Sequence, residues 1–193
     1  MNYSTEGLLK EARKHSDVLI NIIYKNKFQK IAEIGVYEGK TTKRILNNLE
    51  VNKIITEYWD IDPWSVVPVE YGSWSEWPQE TWDAKYLKSC KLMKYFPALK
   101  LVKMPSLKAV HIFEDGYFNF IYIDGNHLYD AVVQDLTAWL PKVRSGGILA
   151  GHDYINRDGK GRRSKCEVKR AVDDTFGRNN IQLEADSVWV YQT

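Results

Sequence analysis

A chain of 193 residues, 44% hydrophobic and 27% charged, has the length and composition of one domain with a substantial core. Its net charge of +2, with pI near 8.4, creates no field strong enough to single out nucleic acid or an anionic membrane as partner. No run approaches the ~20 apolar residues of a membrane helix, and the amino terminus lacks the basic, apolar and small-residue signature of a leader, so a cytoplasmic protein is expected.

Between residues 5 and 25, Leu8, Leu9, Ala12, Val18, Leu19, Ile22 and Ile23 recur at helical spacing. One or two amphipathic helices are predicted there, capped by Ser4 or Thr5, so that residues 1–28 form a helical segment before the sheet. KIAEIGVYEG is a β-type run broken by glycine and TTKRILNNL is helical, which gives strand, turn, helix. Residues 53–62, rich in β-branched and aromatic side chains, read as a second strand. Pro63, Pro68, Gly72 and Pro78 lie among tryptophans in residues 63–81, which suits an ordered loop. With the helix predicted over 82–96, it makes residues 63–96 an insertion on the substrate side.

Residues 99–104 form a short third strand, SLKAVHIF a short helix, and residues 118–124 a strongly apolar fourth strand. Ala131, Val132, Leu136, Trp139 and Leu140 fall at helical offsets within 128–143, and Gly146 and Gly147 turn the chain into a fifth strand. A basic loop over 156–165, a helix over 167–176 and two strands, 181–185 and 187–191, follow. Alternating strands and helices imply an α/β class, a doubly wound and mainly parallel sheet. The very short turn at Asp186 makes the last two of seven strands an antiparallel hairpin.

Two of the strand-like runs end abruptly in polar residues, one in Asp124-Gly-Asn-His127 and the other in Gly-His152-Asp153-Tyr154. Ligands of open α/β sheets sit beyond the carboxyl ends of such strands, so Asp124, His127, His152 and Asp153 should converge on one crevice. Both histidines could instead hydrogen-bond backbone. His15 and His111 fall in presumed helices without an acidic cluster and read as structural or surface groups. Cys90 and Cys166 are too few for a disulfide framework and read as free thiols.

In Glu33-Ile-Gly35-Val-Tyr37-Glu-Gly39-Lys-Thr41-Thr42 two glycines stand where the backbone turns into a helix. Tyr37 replaces the middle glycine of the dinucleotide fingerprint, and Glu33 would repel phosphate while suiting an amine-bearing ligand. Glycine also serves such turns for purely structural reasons. Asp60 and Asp62 close the second strand, where a carboxylate can accept ribose hydroxyls or cap the following turn.

These residues resemble class I S-adenosylmethionine-dependent methyltransferases: Glu33 to Gly39 resembles their glycine-rich motif, and Trp59-Asp60-Ile-Asp62-Pro63 the acidic end of their second strand. Ile123 to His127, Arg144 to Tyr154 and Val168 to Asp173 resemble methyltransferase family 24, which includes macrolide-sugar O-methyltransferases. The resemblance runs from about Ile31 to the end and implies a Rossmann-like methyltransferase fold with S-adenosylmethionine as cofactor. It implies cofactor contacts from Glu33, Gly35, Tyr37, Gly39, Thr41, Asp60, Asp62, Ser106 and Asp124. It also implies magnesium or another divalent metal held by Asp124, His152 and Asp153, with His127 as general base. His152 stands where relatives carry an acid, which leaves the metal open.

The expected activity is O-methylation of a small hydroxylated acceptor, a sugar, sugar phosphate or nucleotide sugar, with room for a homodimer. Trp64 and Trp74 offer flat faces for a sugar, or else build a small satellite core; Tyr154 and Arg162 border the same edge. The basic loop carrying Arg162 is either a lid over an anionic acceptor or a solvated face. Two other readings stay open. A nicotinamide-dependent oxidoreductase is disfavoured by Tyr37 and by the absence of a Tyr-x-x-x-Lys pair near the fourth strand; the other is a cofactor-binding module without catalysis.

Overall fold

A computed structural model of the protein describes residues 14–66, 76–159 and 165–193. Along them run α1 (His15–Asn26), β1 (Lys30–Ile34), α2 (Lys40–Leu49), β2 (Glu57–Asp62), α3 (Gln79–Leu92), β3 (Leu99–Lys103) and α4 (Ser106–Ala109). They continue with β4 (Phe118–Ile123), α5 (Tyr129–Trp139), β5 (Val143–Gly151), α6 (Val168–Phe176), β6 (Gln182–Leu183) and β7 (Trp189–Gln192). The strands form one seven-stranded sheet in the order β3-β2-β1-β4-β5-β7-β6. β1 to β5 are mutually parallel, while β7 lies between β5 and β6 and runs antiparallel to both. The doubly wound sheet with a terminal hairpin is therefore present as expected.

Burial explains why the centre of the sheet reads as it does. Every residue of β4 is buried, because helices cover both of its faces and a parallel strand so placed carries an unbroken apolar run. Alternation then sorts side chains between two cores. Ala32, Ile121 and Leu149 meet Val132, Leu136 and Trp139 of α5 with Ala171 and Val172 of α6. Ile31, Phe120 and Ile148 meet Leu19 and Ile23 of α1 with Ile45 and Leu49 of α2. Among the described residues no helix is long and apolar enough to cross a membrane.

Several boundaries differ from those the sequence suggests, each for a local reason. The second strand starts at Glu57 rather than Lys53, because Lys53 takes φ 58° and closes the turn leaving α2. The helix expected to 143 stops at Trp139, and β5 absorbs the Gly146-Gly147 turn. Phe118 pairs with Val143 but Phe120 with Ile148, so the extra residues bulge out of the ladder with Gly146 at φ 74°. Asp186 and Ser187, at φ 57° and 58°, form the mirror-image turn that suits a hairpin. The first part of the amino-terminal helical segment, with Ser4 and Thr5, lies outside the described residues.

Gly151 shows how tightly β7 is held. A Cβ there would stand 2.4 Å from Trp189 Cζ2 and 2.6 Å from the Ile123 carbonyl oxygen. Gly151→Ala should lower stability by about 1–3 kcal/mol through overpacking, read as a lower urea midpoint; an unchanged midpoint would show that β7 yields.

Candidate active site

The ends of β1, β4 and β5 are linked by backbone hydrogen bonds. Asp124 N–H donates to the Ile34 carbonyl at 2.7 Å, and His152 N–H to the Ile123 carbonyl at 3.1 Å. Gly35, at φ 86°, turns away immediately beside Asp124, and its N–H donates to the Ile61 carbonyl at 2.9 Å. This places Asp124, His127, His152 and Asp153 in one crevice, as the strand ends predict.

His127 Nε2 lies 3.2 Å from Asp153 Oδ2 and 3.7 Å from Asp124 Oδ1. His152 Nδ1 lies 3.8 Å from Oδ1 of each aspartate. Although enclosed by carboxylates, His127 Nε2 is buried and aligned with neither as a hydrogen bond. Burial alone would lower the His127 pKa, but the charges of Asp124 and Asp153 outweigh it and the net shift is upward. Asp153 adopts φ 50°, a left-handed conformation of the kind that concentrates at functional sites. Ligand atoms of Asp124, His152 and Asp153 lie within 4.8 Å of one another, a set of two carboxylates and one imidazole that fits a divalent cation.

The acids of the glycine turn do different work. Glu33 and Asp60 are fully enclosed on the α2 side, both accepting from the Thr42 hydroxyl, while Glu33 also accepts from Tyr58 at 2.5 Å. Burial, reinforced by nearby carboxylates, raises both acids far above the ordinary carboxylate range. Asp62 accepts from the N–H groups of Val36, Tyr37 and Trp64, so it shapes the turn from beneath. Tyr37 itself takes φ 58°, with the Lys85 ammonium 4.4 Å from its ring centroid. Three lysines, Lys40 first, then Lys88 and Lys85, hold Glu38 down to about 2 and tie α3 to this turn. Ser106 donates to the buried Asp135, which burial pushes up to about 6.

Two residues expected at the acceptor face are placed otherwise. Trp64 is fully buried, its Nε1–H donating to the Tyr37 carbonyl at 2.7 Å, because its ring fills the space between the glycine turn and Tyr86 of α3. Tyr154 is also buried, with its hydroxyl donating to Asp173 on α6. Trp74 and Arg162 lie outside the described residues.

His15 is the member of this site that sequence reading missed. It does have an acidic partner: its Nδ1 is 3.2 Å from Asp186 Oδ2, and its backbone N–H donates to the same oxygen at 2.7 Å. Its Nε2 lies 3.0 Å from the Thr41 hydroxyl, and its ring centroid 4.6 Å from that of His152. His15 and Asp186 are 171 residues apart, and no local pattern connects them.

The model of a methyltransferase domain family matches residues 32–154. No curated protein matches the sequence. Among solved structures, the methyltransferase PaMTH1 of Podospora anserina, bound to SAH, shares 15% identity over 98% of this chain and 82% of its own, with a TM-score of 0.63. The O-methyltransferase TomG of Streptomyces achromogenes, in complex with SAM, shares 11% identity over 92% of this chain and 79% of its own, with a TM-score of 0.60. CalS11, a TDP-rhamnose 3'-O-methyltransferase, shares 16% identity over 91% of this chain and 77% of its own, with a TM-score of 0.57. At such identities the likeness establishes the fold.

Without divalent cations, the His127 imidazole should titrate by NMR above its ordinary 6.5, and Asp153→Asn should bring the midpoint down. An unmoved midpoint would exclude Asp153 as a cause. Glu33 keeps its proton in the folded chain up to about 8, whereas an unfolded glutamate releases it near 4.5. The native state therefore binds more protons in that window, so stability falls as pH rises through it. Glu33→Gln should flatten this slope in denaturation series at several pH values; an unaltered slope would remove Glu33 as its source.

Proposed function

The chain belongs to the methyltransferase domain family matched by its residues 32–154, and from that premise we propose that it is an S-adenosylmethionine-dependent O-methyltransferase of a small hydroxylated acceptor, a sugar or glycoconjugate. The observation that carries the proposal is His127 Nε2, buried and unaligned between two carboxylates, next to the glycine turn. The SAH and SAM held by PaMTH1 and TomG support the cofactor, and the nucleotide-sugar substrate named for CalS11 supports the acceptor class.

Methyl transfer from a sulfonium to a hydroxyl needs the oxygen in line with the methyl carbon and relieved of its proton during attack. His127 Nε2 takes that proton, and Asp124 and Asp153 stabilise the imidazolium that results. Gly35, Tyr37, Gly39 and Thr41 would hold the cofactor, with Asp60 and Asp62 serving its ribose end and Ser106 its adenine. Residues 63–96 form the acceptor-side insertion, where Trp77 stands between Tyr37 and Trp82, at centroid distances of 6.1 and 5.6 Å. Asp124, Asp153 and Nδ1 of His152 would hold a divalent cation, magnesium or a softer ion better suited to imidazole. Such an ion supplies Lewis-acid polarisation of the acceptor oxygens when bound.

Calorimetric titration with S-adenosylhomocysteine, repeated with NAD, tests the cofactor. Binding of the first alone is expected; no binding of S-adenosylhomocysteine would overturn the proposal. Against a panel of free and nucleotide-linked sugars, His127→Ala should lower kcat by about 10²–10⁴-fold with cofactor affinity retained. Full activity of that variant would remove the base.

A further inference from the structure

We propose that His15, His152 and Asp186 form a second metal site, for a borderline first-row ion such as Zn²⁺, which staples the start of α1 to the β6–β7 turn. The site adjoins the Asp124–Asp153 crevice, sharing the His152 ring through its other nitrogen, and does not rest on the methyl-transfer reading. Its three donors come from the first residue of α1, the residue after β5 and the hairpin turn, and their ligand atoms lie within 4.8 Å of one another.

The distances suit a tetrahedral ion. Asp186 Oδ2 is 3.2 Å from His15 Nδ1 and 3.9 Å from His152 Nε2. Ligands at about 2.1 Å on a tetrahedral zinc stand roughly 3.4 Å apart, so shifts of a few tenths of an ångström about Asp186 bring these pairs to coordination geometry. Two imidazoles and one carboxylate favour zinc or its neighbours over magnesium or calcium.

The surrounding bonds orient the donors. His15 Nε2 meets the Thr41 hydroxyl at 3.0 Å, so a hydrogen on Nε2 leaves the Nδ1 lone pair facing the site. The His15 backbone N–H holds Asp186 Oδ2 at 2.7 Å. His152 Nε2 is buried and has no hydrogen-bond partner, although the ring's other nitrogen faces Asp124 and Asp153. Asp186 is partly exposed, which leaves a fourth position open to water.

The test uses chelator-treated full-length protein, with Zn²⁺ titrated in competition with a chromophoric chelator and Co²⁺ absorption reporting geometry. His15→Gln removes one donor. Asp186→Asn removes the carboxylate charge and keeps a residue that tolerates the left-handed turn. Asp153→Asn disrupts the neighbouring trio and leaves this one intact. Asp153→Asn should keep a tetrahedral site of wild-type Zn²⁺ affinity even if it loses an ion from the neighbouring trio, while His15→Gln and Asp186→Asn weaken that site roughly tenfold or more and lose the tetrahedral Co²⁺ bands. No Zn²⁺ binding by the wild type would overturn the proposal, as would His15→Gln and Asp186→Asn variants that bind as the wild type does. Binding abolished by Asp153→Asn alone would assign the ion to the other trio and overturn it equally.

Discussion

The near contact between Gly35 and the backbone of Asp124 governs the position of everything else at the site. A Cβ on residue 35 would fall 2.3 Å from the Asp124 carbonyl oxygen, so only glycine lets β1 turn away where β4 ends. The register behind it pairs Ile34 with Ile123 and Ile123 with Gly151. The next residue on β4 is then Asp124 and the next on β5 is His152, level with one another at the sheet's edge. A slip of one residue in either ladder would turn the polar ends into the core and leave the crevice without its acids.

Beneath that edge lies an unusual concentration of buried acid. Glu33, Asp60 and Asp62 all sit under the turn, and each has hydrogen-bond partners, so their desolvation is offset without opposite charges. Thr42 joins two of them and Tyr58 serves a third lone pair, which locks α2 against β1 and β2. Raised proton affinity of these three acids follows from their burial. The crevice acids Asp124 and Asp153 are each about a quarter exposed and lie beside the histidines.

Much of the fold was legible because its signals are local. Apolar runs ending in polar residues located β4 and β5, helical spacing located α5 and α6, and the short turn at Asp186 announced the hairpin. Boundaries were lost where a bulge or a left-handed residue intervened, at Lys53 and Gly146. In the site, the quartet of Asp124, His127, His152 and Asp153 was legible because each follows a strand end. His15 was not, because its partners Thr41, His152 and Asp186 reach it only through tertiary packing. Trp64 reads either as an acceptor-facing ring or as part of a small satellite core, since tryptophan in a proline-bearing loop gives no sign of whether α3 folds over it; the structure buries it.

The insertion of β7 between β5 and β6 has a consequence for the order of assembly. β5 carries Gly151 and leads directly into His152 and Asp153, yet its outer edge pairs with residues 189–192, the last strand to be made. During vectorial synthesis the five parallel strands can gather while that edge stays open, a template for any passing strand. Closure by β7 seals the sheet and also delivers Asp186, two residues ahead of Val188, to His15. The crevice is thus completed in the same step that covers this open edge.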